Sequence, residues 1–90
     1  MTVPVADDWR PRLSPGLVLR HDRARETDVL LMPERIVVLH GQASTVLELC
    51  DGTRTVPDIV AVLAARFPRA PVGDDVGVFL ERTRKEGWTR

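Results

Sequence analysis

The sequence predicts a small α+β domain in which a three-stranded antiparallel sheet is followed by a cluster of three helices. Three observations carry this prediction. Ninety residues suffice for one modest core and no more. The hydrophobic period changes from two to about 3.6 after Gly41. The stretch Leu47-Glu48-Leu49-Cys50-Asp51-Gly52-Thr53-Arg54-Thr55-Val56 reads as a tight joint between two helices, around which the rest of the chain folds back.

Taken in order, residues 1–12 contain Pro4, Asp7, Asp8 and Pro11 without any period, and read as a mobile arm whose one large apolar group is Trp9. Residues 13–90 form the domain. Pro15-Gly16 is turn chemistry, and Leu17 to Arg20 is a short strand. The charged stretch His21 to Glu26 reads as a loop. Asp28 to Met32 is a second strand, stopped by Pro33, which cannot donate to a ladder. Arg35-Ile36-Val37-Val38-Leu39 is a third, its β-branched run and short connection favouring a hairpin.

Ala43, Val46, Leu47 and Cys50 then fall at i, i+3, i+4 and i+7, one stripe of a helix. Gly52 suits the left-handed residue that ends it. Thr55 can cap the next helix, with Asp58 three residues on and Pro57 in the first turn. Ile59, Val62, Leu63 and Phe67 mark that helix, which ends at Pro68. Pro71-Val72-Gly73 is a linker, and the third helix starts at Asp74 or Asp75, where the macrodipole favours negative charge. Val76, Phe79, Leu80 and Thr83 form its core stripe, Gly87 stops it, and Trp88 folds back.

A second stripe on this helix bears on function. Asp75, Val78, Phe79 and Arg82 share the flank beside the core face, and an apolar residue between an anion and a cation suits a wall that grips a peptide. The same spacing also suits a merely solvated flank.

The chemistry of catalysis is missing. Thirteen basic and thirteen acidic residues cancel, so no strong field draws the chain to nucleic acid or to an anionic membrane. Cys50 is the single cysteine and reads as a small core residue. His21 and His40 stand alone, without a second ligand at metal spacing. No phosphate loop, cysteine pair or nucleophile elbow is present. Neither a membrane span nor a signal pattern is visible, so a cytoplasmic protein is expected, with no enzymatic activity, no catalytic residue, no metal and no cofactor.

With the segments placed, the chain resembles the PqqD family, the peptide chaperones of pyrroloquinoline quinone (PQQ) biosynthesis. The matching residues are Arg12-Leu13, Pro15-Gly16 and Leu30-Leu31-Met32-Pro33-Glu34, then the joint from Leu47 to Val56 with Ile59 and Leu63. Last come Asp75-Val76, Phe79-Leu80 and Gly87-Trp88. The resemblance covers about residues 10–90. It departs at Thr83, where the family usually has Leu, and at Met32, often an aromatic.

The resemblance implies a winged-helix-like recognition element for a ribosomally made precursor. It would bind the leader of the peptide PqqA and present it to PqqE, a radical S-adenosylmethionine enzyme. In similar domains the leader lies along the third strand beside the third helix. Here that implies a peptide-binding site made of Ile36, Val37, Val38 and Leu39 with Asp75, Val78, Phe79 and Arg82. A free strand edge also makes a homodimer by exchange of elements an expectation, through the short link Leu39-His40-Gly41. Two alternatives stand beside this reading. One is a recognition domain for a different precursor peptide. The other is a winged-helix DNA reader, disfavoured because Asp74-Asp75 would open the helix that meets phosphates.

Overall fold

The computed structural model describes residues 8–69 and 72–90, the side chains of Val72 and Asp74 excepted. Strands β1 (Val18–Asp22), β2 (Thr27–Met32) and β3 (Arg35–Leu39) precede helices α1 (Ala43–Glu48), α2 (Val56–Arg66) and α3 (Val72–Lys85). The sheet has the order β1-β2-β3, with both pairings antiparallel.

The expected strands are all present, but β1 is longer than its apolar run. It continues through His21 and Asp22, which the sequence reading gave to a loop. The reason is cross-strand pairing: His21 lies opposite Asp28 and hydrogen-bonds its carboxylate at 2.7 Å, and Asp22 lies opposite Thr27. Asp22 then closes the loop by accepting from the N–H groups of Ala24 and Arg25. The β2–β3 loop is only Pro33-Glu34, because Met32 pairs with Arg35. Pro33 suits the first turn position, and Glu34 takes the left-handed second one at φ 68°.

The inner face of the sheet carries the row Leu19–Leu30–Val37. Leu30 is fully buried and joins Leu39, Val46, Leu47, Ile59, Leu63 and Leu80 in one core. Asp28 ties the sheet to the helices, since the Ser44 hydroxyl of α1 donates to it at 2.6 Å.

The joint differs in one respect from its sequence reading. Gly52 does take a left-handed φ of 85°, but α1 has already ended at Glu48. Gly52 instead donates its N–H to the Pro11 carbonyl, and a Cβ there would lie 3.4 Å from Arg12 Cδ. Its conformation serves a tertiary contact rather than a helix end. The start of α2 is as expected: the Thr55 hydroxyl accepts from the Asp58 N–H at 3.2 Å, and the Asp58 carboxylate accepts from the Thr55 N–H at 3.1 Å.

Helix α3 begins at Val72, so Val72-Gly73 is helical rather than linker, while Pro71 lies outside the described residues. Its end is a Schellman motif. Gly87 sits at φ 82°, its N–H bonds the Arg84 carbonyl, and the Trp88 N–H bonds the Thr83 carbonyl. Thr83, which departs from the family pattern, is fully buried and finds polar partners. Its hydroxyl bonds the Leu80 carbonyl at 2.8 Å and the Thr89 hydroxyl at 3.0 Å.

The first seven residues of the expected arm lie outside the described residues. From Trp9 onward the chain is packed, which moves the start of the ordered body ahead of residue 13. Pro11 is buried, and Trp9 lies against the core under the Arg84 guanidinium, 4.6 Å from its ring centre. Arg12 and Arg90 exchange backbone hydrogen bonds, and Ser14 donates to Trp88. No periodicity reveals such pairing, because its partners are some 75 residues apart.

Hydrogen bonds hold three carboxylates below the ordinary 3.8: that of Asp28 mainly through the Ser44 hydroxyl and then His21, that of Asp51 through Thr53, and that of Asp58 through Thr55. Each folded value lies below its unfolded one. These groups therefore stabilise the fold above the unfolded value, and their contribution is lost as pH falls through the folded values. Melting temperature is expected to drop below about pH 4, and Asp28→Asn with Asp58→Asn should flatten that acid limb. Melting curves from pH 7 down to about pH 2 check this; an unchanged limb in the double variant would refute it.

Candidate functional site

The edge of β3 follows from the register. A two-residue loop can be closed only by a pair that exchanges both backbone hydrogen bonds, so Met32–Arg35 is such a pair. Hydrogen-bonded pairs alternate with non-bonded ones, which makes Leu30–Val37 and Asp28–Leu39 bonded. The N–H and C=O groups of Ile36 and Val38 consequently point away from β2, toward an edge with which no described strand pairs. Side chains alternate with the same period. Val37 and Leu39 pack inward on the core, while Ile36 is 64% and Val38 39% exposed on the outer face. The other edge strand, β1, is the one against which α1 packs.

Along α3 the second stripe is largely open to solvent. Val78 is 63% exposed, Asp75 and Arg82 are exposed, and Phe79 is half-buried against the core. A concavity of about 630 Å³ is lined by Val78 and Arg82 together with Val56, Gly77, Glu81 and Lys85. A smaller one of about 280 Å³ is lined by Phe79 and Arg82 with Thr83, Glu86 and Trp88. Arg82 is common to both.

The stripe is thus brought together in part, with Val78 beside Arg82 and Phe79 beside Arg82. Asp75 lines neither concavity, and no β3 residue does. Ile36 lines a third concavity, on the outer face of the sheet. Around the stripe the concavities also take in Trp88, Glu86 and Val56, which the sequence reading did not assign to a site. Glu86 continues the stripe at i+7 from Phe79, a signal that was available. Trp88 and Val56 come from beyond the helix, where spacing carries no information.

These walls offer apolar surface and mixed charge, and nothing suited to bond-making. Among the described residues no group of histidine, cysteine or carboxylate side chains could hold a metal ion. Burial pushes the Cys50 thiol up to about 12, and its sulfur bonds the Val46 carbonyl. A thiol so held is no nucleophile. No described helix is long and apolar enough to cross a membrane.

Comparison with known proteins decides the kinship. The family described as "Coenzyme PQQ synthesis protein D (PqqD)" matches residues 29–88. The chain belongs to the PqqD family. Among curated relatives, the "PqqA binding protein" of Pseudomonas aeruginosa (strain UCBPP-PA14) is 38% identical over 89 residues, 98% of this chain and 96% of that one. The "PqqA binding protein" of Klebsiella pneumoniae (strain 342) is 42% identical over 74 residues, 81% and 80% of the two chains.

Two solved PqqD structures share the fold. The solution structure of the PqqD part of Methylobacterium extorquens PqqCD superimposes with a TM-score of 0.73 at 34% identity, covering 89% of this chain and 87% of the other. Its description is a functional, stand-alone recognition element for ribosomally synthesised and post-translationally modified peptides. The crystal structure of PqqD from Xanthomonas campestris gives a TM-score of 0.53 at 37% identity, covering 88% and 90%. The PqqD chain thus has the α+β, winged-helix-like architecture of a recognition element, and its family is non-catalytic.

Proposed function

We propose that this PqqD-family chain binds the leader of a PqqA-type precursor peptide as an added strand on β3 and presents it to the radical S-adenosylmethionine enzyme PqqE. One observation carries the reading: the backbone groups of Ile36 and Val38 face an edge that is open among the described residues. A peptide strand can satisfy those groups, so backbone pairing supplies affinity and side-chain pockets supply specificity. Val78, Phe79 and Arg82 of the stripe would provide the pockets, with Asp75 exposed on the same flank and Glu86 and Trp88 extending the wall around Phe79 and Arg82. The "PqqA binding protein" relatives support the choice of peptide. Ordering a flexible peptide costs a few kcal/mol, so binding in the micromolar to high-nanomolar range is expected.

The test is titration of the isotopically labelled chain with PqqA peptide, with no metal, nucleotide or S-adenosylmethionine added. Amide shifts are expected at Ile36 and Val38 and along Asp75–Arg82. No shift and no calorimetric heat at high micromolar peptide would refute the reading.

The same edge can pair with a second copy of the chain, by exchange of elements about the Leu39-His40-Gly41 link. Gly41 there sits at φ 60°, and the Ala43 N–H closes back on the His40 carbonyl. Dimer and peptide should then compete, so adding peptide should lower the association seen by sedimentation. Peptide binding that leaves a stable dimer unchanged would show that the two do not share an edge.

A further inference from the structure

The outer face of the sheet is apolar where it would ordinarily be polar. In antiparallel sheets with one face on the core, the solvent face normally carries polar side chains. Here the register sets Val18, Leu31 and Ile36 in one cross-strand row and Arg20, Val29 and Val38 in the next. Both rows lie on the face opposite the core row Leu19–Leu30–Val37. Val18 is 46%, Ile36 64% and Val38 39% exposed.

Beside these rows, the face and the β1–β2 loop enclose a concavity of about 650 Å³. Its apolar floor is Val29, Leu31 and Ile36, and Arg20, Arg23 and Arg25 stand in its wall. The one carboxylate there, Asp22, is occupied. It accepts from the N–H groups of Ala24 and Arg25 and lies 3.8 Å from the Arg25 guanidinium. Among the described residues no carboxylate forms an ion pair with Arg20 or Arg23.

We infer that this face is a second docking surface, adjoining the β3 edge through the outward side chains of Ile36 and Val38, which receives an acidic and partly apolar patch of the enzyme that modifies the peptide. An apolar centre with a charged rim is the anatomy of a protein–protein interface, and the sign of the rim selects an anionic partner. Nucleic acid would leave the apolar floor uncovered. The leader, in the reading above, pairs with the edge of β3 in the plane of the sheet. The enzyme covers the sheet from outside, with Arg20 and Arg23 on the far side of β2 from that edge, so one small domain can hold peptide and enzyme together. The inference rests on the proposed handover of a leader to PqqE.

The experiment measures binding of PqqE and of PqqA peptide, each to the wild-type chain and to a variant carrying Arg20→Glu and Arg23→Glu. A Val18→Asp variant tests the apolar part. All three side chains are exposed, and none belongs to the proposed leader site. PqqE should bind each variant about tenfold more weakly or worse, and wild-type binding should weaken with added salt. Leader affinity should stay within about twofold of wild type.

PqqE binding both variants as it binds wild type would overturn the inference and leave the leader reading intact. Wild-type chain that binds leader but no PqqE would overturn it together with the handover. Self-association that the same substitutions abolish would also overturn it, because the occupant would then be a second copy.

Discussion

Val37→Pro should destabilise the hairpin strongly, while Val38→Pro should stay folded and bind the leader about tenfold more weakly or worse. Val37 exchanges both backbone hydrogen bonds with Leu30, at the centre of the sheet and over the fully buried core. Proline there removes the N–H and forces its ring into the ladder, at a cost of about 3 kcal/mol or more. For a domain of this size that is a fall in melting temperature of roughly 10–20 °C. Val38 lies opposite Val29 in a non-bonded pair, and its N–H faces the free edge. Proline at such a position is tolerated by the fold. What it removes is a donor to the docked strand, so affinity for the PqqA leader should fall by about tenfold or more. Melting curves and titrations of the two variants side by side give the result. Two folded variants that both bind normally would show that the peptide does not pair with β3. The groove reading for Asp75, Val78, Phe79 and Arg82 would lose its main support with it.

Removing Trp88, Thr89 and Arg90 should be about as damaging to the fold, whatever Trp88 adds to the wall around Phe79 and Arg82. The tail carries the Schellman bond to the Thr83 carbonyl, the bond from Ser14 to Trp88, and the reciprocal pair between Arg12 and Arg90. Thr89 is also the partner of the buried Thr83 hydroxyl. With the Thr89 N–H, which also bonds the Thr83 carbonyl, there are five backbone bonds; at about 1 kcal/mol each, with a Trp side chain packed on the core, they sum to roughly 3–6 kcal/mol after solvent replaces some partners. The truncated chain is expected to melt roughly 15–30 °C lower, or to lose cooperative folding. Thr89→Val isolates the hydroxyl pair and should cost about 1–2 kcal/mol. A truncation within a few degrees of wild type would show that the tail only rests on the domain.

The elements were legible in the sequence wherever a local rule sets them. The Thr55–Asp58 capping box, the Gly87 stop, the Pro33 break and the core stripe of Val76, Leu80 and Thr83 are written in residue type and spacing. Each depends only on partners within about one helical turn or one hairpin. The second stripe on α3 was legible in the same way, as positions on a helix. Its weight as a site was not, because spacing cannot distinguish a solvated flank from a groove wall.

Other features were legible only in residue type, with the reason lying elsewhere. Gly52 was correctly read as left-handed and wrongly read as the end of α1, since the same φ serves a helix stop and a close approach to Arg12. Residues 9–12 carry no period, yet they pack, because their partners are Gly52, Arg84 and Arg90. The strand β1 outran its apolar run because β2 offered His21 and Asp22 partners.

By itself, then, the sequence determined the class of fold, the order of its six elements, the lack of catalytic chemistry and the kinship with peptide-recognising chaperones. All of these reside in composition, in short-range periodicity and in a few specific motifs. Tertiary structure alone decided which N–H groups of β3 face outward, which face of the sheet is left apolar, and how residues 11–14 and 88–90 close on the helix joint. Those depend on pairing register and on contacts between distant residues, and a shift of one residue would reverse them without changing a single propensity.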